Sequence, residues 1–304
     1  MSLSPVRPSK RSISAGGTAA LVALSLCGSA CGQPAPGAAP AAPAPAAPLP
    51  APTAADWRQI PAENMMVIDT SKGRVVVEMR PEVAPGHIAQ IKILAGRGYY
   101  DGLQFFRVID DFMAQTGDAA NTGAGPGPLP ELKGEFTFRR DMAGPVTPVI
   151  VIPGAGTFGF IGTFPVVSQA DDLALMTADG KVRAYGVFCP GVAGMARTQA
   201  PDSASSQFFL MRGAAHFLDQ QYTPWGKVVA GQDVVQAITT GEPPAQPDIM
   251  TKVRIASEMP AAERPNLWRL DPASAAFKAQ VAAVRAEKGE NFTPCDVEPA
   301  VQAR

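Results

Sequence analysis

Few residues in this chain are of types that do covalent or metal chemistry. His87 and His216 are the only histidines and lie far apart, which leaves little for a histidine-rich metal site or a histidine-based triad. The cysteines number four, at 27, 31, 189 and 295. Lys and Arg total 26 against 27 Asp and Glu, so the chain supplies no basic field of the kind that nucleic-acid binding draws on. Two arginines stand among apolar neighbours: Arg107 directly after Phe105-Phe106, with Gln115 further along the same segment, and Arg197 within Met195-Ala196-Arg197-Thr198. A guanidinium is planar, always charged and carries five N–H donors, so it suits stabilising charge that develops on a substrate. Taken alone, an arginine in a strand reads as a surface cation. No metal and no cofactor is expected.

With 304 residues and 46% hydrophobic content there is ample sequence to bury a core in one large domain or two ordinary ones. The 31 prolines are about twice the usual usage of roughly 5%. Eight of them fall between Gln33 and Ala55, where Pro and Ala fill 19 of 23 positions. Such a segment favours extended polyproline II and acts as a spacer. Before it, Arg7, Lys10 and Arg11 precede the apolar stretch Ile13 to Leu26 and the small residues Gly28-Ser29-Ala30. That is the form of an export signal, too short to span a bilayer comfortably. The small residues before Cys31 resemble a bacterial lipobox, except that Gly28 stands where Leu is usual. Two readings stay open: lipidation of Cys31, giving a membrane tether, or plain cleavage after Ala30. Either places the mature protein in a bacterial periplasm. Losing the first 55 residues removes three bases and no acid, moving the net charge from −1 to −4.

In the remainder, Met66–Thr70 and Arg74–Arg80 flank Ser71-Lys72-Gly73 and read as a hairpin. Pro85 to Ala95 reads as an amphipathic helix with Ile88, Ile91 and Leu94 in the core and His87 solvated at its start. Farther on stand Phe105-Phe106-Arg107-Val108-Ile109, Phe112-Met113-Ala114-Gln115-Thr116-Gly117-Asp118, Met195-Ala196-Arg197-Thr198, Ser206-Gln207-Phe208-Phe209-Leu210, and Phe217-Leu218-Asp219 followed by Tyr222 to Val235. Together and in this order, these blocks resemble the cyclophilin family of peptidyl-prolyl cis-trans isomerases, most closely its bacterial branch. The resemblance covers about Met66 to Ile238. It implies a mainly β fold: a closed eight-stranded antiparallel barrel with two flanking helices, the second starting near Gln232 and running to Thr240. It also implies an isomerase acting on X-Pro bonds of polypeptide clients, expected to be a monomer.

Carried over residue by residue, the resemblance makes Arg107 the catalytic arginine and Gln115 the residue that hydrogen-bonds and orients it. Phe112, Met113, Phe209, Leu218 and Tyr222 build the proline slot, with Tyr222 where eukaryotic members carry His. Ala196, Arg197, Thr198 and Gln207 hold the substrate backbone and the residue before proline. Three departures stand out. Phe106 replaces the usual His, which should alter pocket polarity or substrate preference. Arg197 replaces an Asn found in many eukaryotic members. Phe217 stands where cyclosporin-sensitive members have Trp, which implies weak cyclosporin binding.

The resulting organisation is a signal or lipobox over 1–31, a linker over 32–56, a cyclophilin-like domain over 57–260 with an insertion at about 141–184, and an extension over 261–304. The insertion has no charged residue from Met142 to Ala170. Val149–Ile152 and Phe158–Ile161 read as an apolar hairpin that packs on the barrel, covers substrate or meets a partner. In the extension, Ala276 to Lys288 reads as a helix with Phe277, Val281 and Val284 on one face. Cys189 and Cys295, left in an oxidising compartment, are candidates for a disulfide, but sequence does not give the geometry. Two functions compete: an isomerase for exported proteins, or an envelope module that holds clients in the proline slot with little isomerisation.

Overall fold

The run from Met65 to Met79 is rich in apolar and β-branched residues on both sides of Ser71-Lys72-Gly73, where Gly73 takes φ +138° and turns the chain back on itself. This hairpin begins the main sheet. The structure is a computed structural model, and it describes residues 48–304 apart from 145, 154 and 155. The predicted signal, Cys31 and most of the linker lie outside the described residues. Along the chain come β1 (Trp57–Gln59), β2 (Met65–Thr70), β3 (Gly73–Met79), α1 (Pro85–Gly96), β4 (Arg107–Ile109), β5 (Met113–Thr116), β6 (Phe138–Arg140), β7 (Thr147–Ile152), β8 (Gly156–Ile161) and β9 (Phe164–Ser168). After these follow β10 (Val182–Gly186), β11 (Val192–Met195), β12 (Phe208–Met211), β13 (Pro224–Ala230), α2 (Gln232–Ala237), β14 (Met250–Ile255), β15 (Leu267–Leu270), α3 (Ala275–Lys288) and β16 (Val301–Ala303).

Eight antiparallel strands form the main sheet, in the order β14-β2-β3-β13-β11-β12-β5-β4. It curls around a core of Ile68, Val77, Leu210 and Trp225, with α1 contributing Ile88, Ile91 and Leu94 and α2 contributing Val235. The closed barrel expected from the resemblance is not what forms. The sheet is a curled half-barrel, because β4 is only three residues long and no ladder joins it to β14. That gap is crossed by the isolated bridges Gln104↔Ile249 and Val108↔Gly241. The second helix also stops short of Thr240, at Ala237.

His87 corrects a second expectation. It is fully buried rather than solvated. The Glu135 carboxylate, from a distant loop, accepts from the Gly86 and His87 N–H groups at 3.0 Å each and lies 2.6 Å from His87 Nδ1. The residue preceding α1, Ala84, has no side chain that caps the helix. Glu135 takes that role, satisfying free N–H groups of the first turn.

The insertion is larger than a hairpin. β7 and β8 pair as expected, and β9, β10 and β6 extend them to a five-stranded sheet in the order β6-β10-β9-β8-β7. Its apolar face packs inward: Phe158, Phe160, Phe164 and Val166 share a second core with Phe277 of α3, with Met113 and Phe209 on the outer wall of the main sheet, and with Leu218 from the turn that follows β12. The Phe160 and Phe277 rings meet edge to face at 5.6 Å. Val281 and Val284 pack at the margin of this core, as the helical spacing predicts.

The extension is tied down at several points. Cys189 and Cys295 are bonded. β15 pairs with β1 and β16 in a three-stranded sheet for which the sequence has no local signature. Buried Glu78 of β3 accepts from Arg80 Nη1 at 3.0 Å, from Thr163 Oγ1 of the insertion at 2.5 Å, and from Arg269 Nη1 of the extension at 2.7 Å. Buried Lys227 meets Glu298 at 2.7 Å. These charges are paired and hydrogen-bonded, as burial requires.

Candidate active site

One cross-strand row of the main sheet carries the centre of the site. Register places Arg107 opposite Gln115, Gln115 opposite Phe209, and Phe209 opposite Gly194. Alternate residues of a strand face opposite sides. So Val108, Ala114 and Leu210 enter the inner core, while Arg107, Gln115 and Phe209 rise on the outer face. At Gly194 a Cβ would stand 2.6 Å from both the Phe188 and Phe209 rings, so the absent side chain leaves room for the aromatic floor.

All eleven residues singled out from the sequence are brought together. Nine of them (Arg107, Phe112, Met113, Gln115, Ala196, Arg197, Phe209, Leu218 and Tyr222) line a slot of ≈ 120 Å³. Thr198 and Gln207 line an adjoining groove of ≈ 590 Å³, which shares Gln115, Ala196 and Arg197 with the slot. Met113, Phe209 and Leu218 are buried and form a dry apolar floor. Phe217 leans over Phe112 with ring centroids 5.7 Å apart and is 72% exposed at the rim.

The polar groups differ from expectation in two ways. Gln115 is hydrogen-bonded to Gln207 and not to Arg107: its Nε2 donates to Gln207 Oε1 at 3.1 Å, and Gln207 Nε2 donates onward to Gly123 O at 3.2 Å. The hydrogen bond on Arg107 comes from Glu242, whose Oε2 accepts from Arg107 Nε at 2.7 Å. Glu242 lies beyond the matched blocks, and nothing local in the sequence pointed to it. Phe106 is the second difference. It is outside the slot wall, 5% exposed and packed under the loop at Gly123, where a Cβ would come within 2.9 Å of its ring. It props the groove wall and is not among the residues that line the slot.

Arg197 is held, not free. Its guanidinium lies 4.4 Å from the Tyr222 ring centroid, its Nε donates to Gln221 O at 3.0 Å and its Nη1 to Thr198 O at 2.9 Å. The result is a stacked wall of arginine on tyrosine. The opposite wall of the groove, Gly123 to Gly127, is shaped by Asp118. Burial alone would raise the Asp118 carboxyl, but backbone N–H groups of Thr122, Ala120, Gly123 and Gly125 donate to it and hold it below the usual carboxylate range. Among the described residues no cluster of three or more His, Cys, Asp or Glu is placed to hold a metal ion.

A family model described as "Cyclophilin type peptidyl-prolyl cis-trans isomerase/CLD" matches residues 65–258. Among curated relatives, a "Probable peptidyl-prolyl cis-trans isomerase" of Brucella suis is 35% identical over 190 residues, covering 59% of this chain and 73% of the relative. A "Peptidyl-prolyl cis-trans isomerase-like 1" of Bos taurus is 27% identical over 194 residues, covering 64% of this chain and 90% of the relative. Among solved structures, cyclophilin AquaCyp293 from Hirschia baltica superposes with a TM-score of 0.73 at 35% identity, over 81% of this chain and 93% of the other. That coverage is wider than residues 65–258, so the likeness extends into the flanking segments.

Proposed function

The chain belongs to the cyclophilin-type peptidyl-prolyl cis-trans isomerase family and is a peptidyl-prolyl cis-trans isomerase, and from this we propose that it turns X-Pro bonds of exported proteins in the slot beside Arg107. The observation that carries the reading is the cross-strand row, which sets a charged donor at the mouth of a dry apolar slot.

Rotation about a peptide C–N bond faces a barrier of about 18–20 kcal/mol because twisting removes amide resonance. In the twisted state the prolyl nitrogen turns pyramidal and its lone pair localises. A donor beside that nitrogen meets an acceptor that neither planar isomer offers, so it stabilises the twisted state selectively. With Nε engaged by Glu242, the Nη groups of Arg107 remain to donate. Phe112, Met113, Phe209 and Leu218 grip the proline ring, and the groove along Ala196, Thr198 and Gln207 takes the preceding residues. The basic and apolar leader, the small residues before Cys31 and the Cys189–Cys295 bond all fit an oxidising envelope compartment.

The test is a protease-coupled assay on an Ala-Pro peptide, comparing wild type with Arg107→Ala. One charged hydrogen bond confined to the twisted state corresponds to a loss of about ten- to hundredfold in kcat/KM. Were wild type no faster than the variant, the client-holding module would be the better reading.

A further inference from the structure

We propose that Glu242 is the positioning residue of the active-site arginine, a role the resemblance would have given to Gln115. The proposal rests on the reading of Arg107 as the donor to the prolyl nitrogen. Gln115 Nε2 donates to Gln207, whose own amide reaches the groove wall, and among the described residues no hydrogen bond joins Gln115 to the guanidinium. Glu242 binds Arg107 through Nε, the one guanidinium nitrogen that points back along the side chain, which leaves both outer amino groups available to the slot.

The carboxylate is delivered by backbone, not by a chance meeting of two long side chains. Val108, next to Arg107, and Gly241, next to Glu242, exchange both of their N–H to C=O hydrogen bonds at 2.8 Å each. Asp248 holds the same segment from the other side, accepting from Thr239 N at 2.8 Å and Ser71 Oγ at 2.6 Å. So Arg107 and Glu242 are fixed side by side at the gap in the main sheet. Their side chains are 39% and 52% exposed. An ion pair that wet is a weak source of stability, so its consequence falls on the rotamer of Arg107 and not on folding.

A carboxylate on Nε has two opposite effects: it orients the guanidinium, and it offsets part of the positive charge meant for the lone pair. Kinetics separate them. If orientation prevails, Glu242→Ala lowers kcat about three- to tenfold, the range for one neutral-to-weakly-charged hydrogen bond, and leaves KM within about twofold. Glu242→Gln keeps an acceptor for Nε without the charge and should retain at least about half of the wild-type kcat, since hydrogen bonding is what orients the group. Arg107→Ala and the double variant Arg107→Ala/Glu242→Ala should be equal, because Glu242 acts only through Arg107. Faster turnover in both Glu242 variants would overturn the proposal in favour of a charge brake. Unchanged kcat in both, with Arg107→Ala impaired, would reduce the pair to a surface contact. Should Arg107→Ala match wild type, the reading of the arginine fails first, and that outcome is distinct from the other two.

Discussion

Breaking the Cys189–Cys295 bond by Cys295→Ser tests how the C-terminal extension is held. The bond closes a loop of sequence separation 106. In the chain-entropy treatment a loop of that length restrains the unfolded state by about 4.8 kcal/mol at 25 °C, an upper figure because a reduced chain is not a random coil. The folded state keeps its other anchors: Phe277 stays in the second core, Lys227 stays paired with Glu298, and Arg269 stays on Glu78. The extension therefore remains docked, and the loss appears as lower stability, about 2–4 kcal/mol after discounting. For a chain of this size that corresponds to a fall in Tm of roughly 5–15 °C. Cys295 is the better site to change, since Cys189 is buried and its replacement also disturbs packing. Reduced wild type and Cys295→Ser should melt together, both below wild type without reductant, whose Cys189–Cys295 bond is intact. Activity at low temperature should survive. Phe188, whose ring stacks on slot residue Phe209, is held through its own backbone by Asp219 and Ala215. A shift under about 2 °C would refute the entropic argument. Loss of activity while the variant is still folded would refute the independence of the slot.

Asp118→Asn should cost about 1–3 kcal/mol at pH 7, because one acceptor oxygen of the loop nest becomes a donor facing N–H groups. The carboxyl is held below its unfolded value near 3.9, so its contribution is present above that value and fades as pH falls through the lower, folded value. Urea midpoints of wild type and variant should thus differ at pH 7 and converge as pH drops below about 3.9; an equal gap at both pH values would sink the idea. Metabolic labelling with radioactive palmitate should mark wild type and spare Cys31→Ser, and an unlabelled wild type would leave plain cleavage after Ala30 as the surviving reading.

What was legible in the sequence follows from distance along the chain. The residues of the slot and groove were legible through the resemblance, which rests on short local blocks, and the fold then brings all eleven to the slot and its adjoining groove. The acids that organise the molecule were not legible. Glu135 reaches α1 across 48 positions, Glu242 reaches Arg107 across 135, and Glu78 meets Arg269 across 191. No local pattern marks such partners. The burial of His87 is hidden for the same reason, since a helix start is ordinarily wet and the carboxylate that covers this one comes from a distant loop. The insertion was readable as two strands but not as five, because which face it buries depends on Phe277 of α3, far downstream in the chain.

The second core also bears on where this protein can be cut. Met113, Phe209 and Leu218 are the floor of the slot on one side, and on the other they share an apolar cluster with Phe160, Phe164 and Phe277. A fragment ending at residue 260, the boundary that the resemblance suggests, would strip Phe277 and Val297 from that cluster and expose the aromatic face of the inserted sheet to water. Such a fragment would be sticky before it was inactive. The smallest piece worth expressing therefore runs from Trp57 to the last strand, and the catalytic unit is set by shared packing, not by the limits of the sequence family.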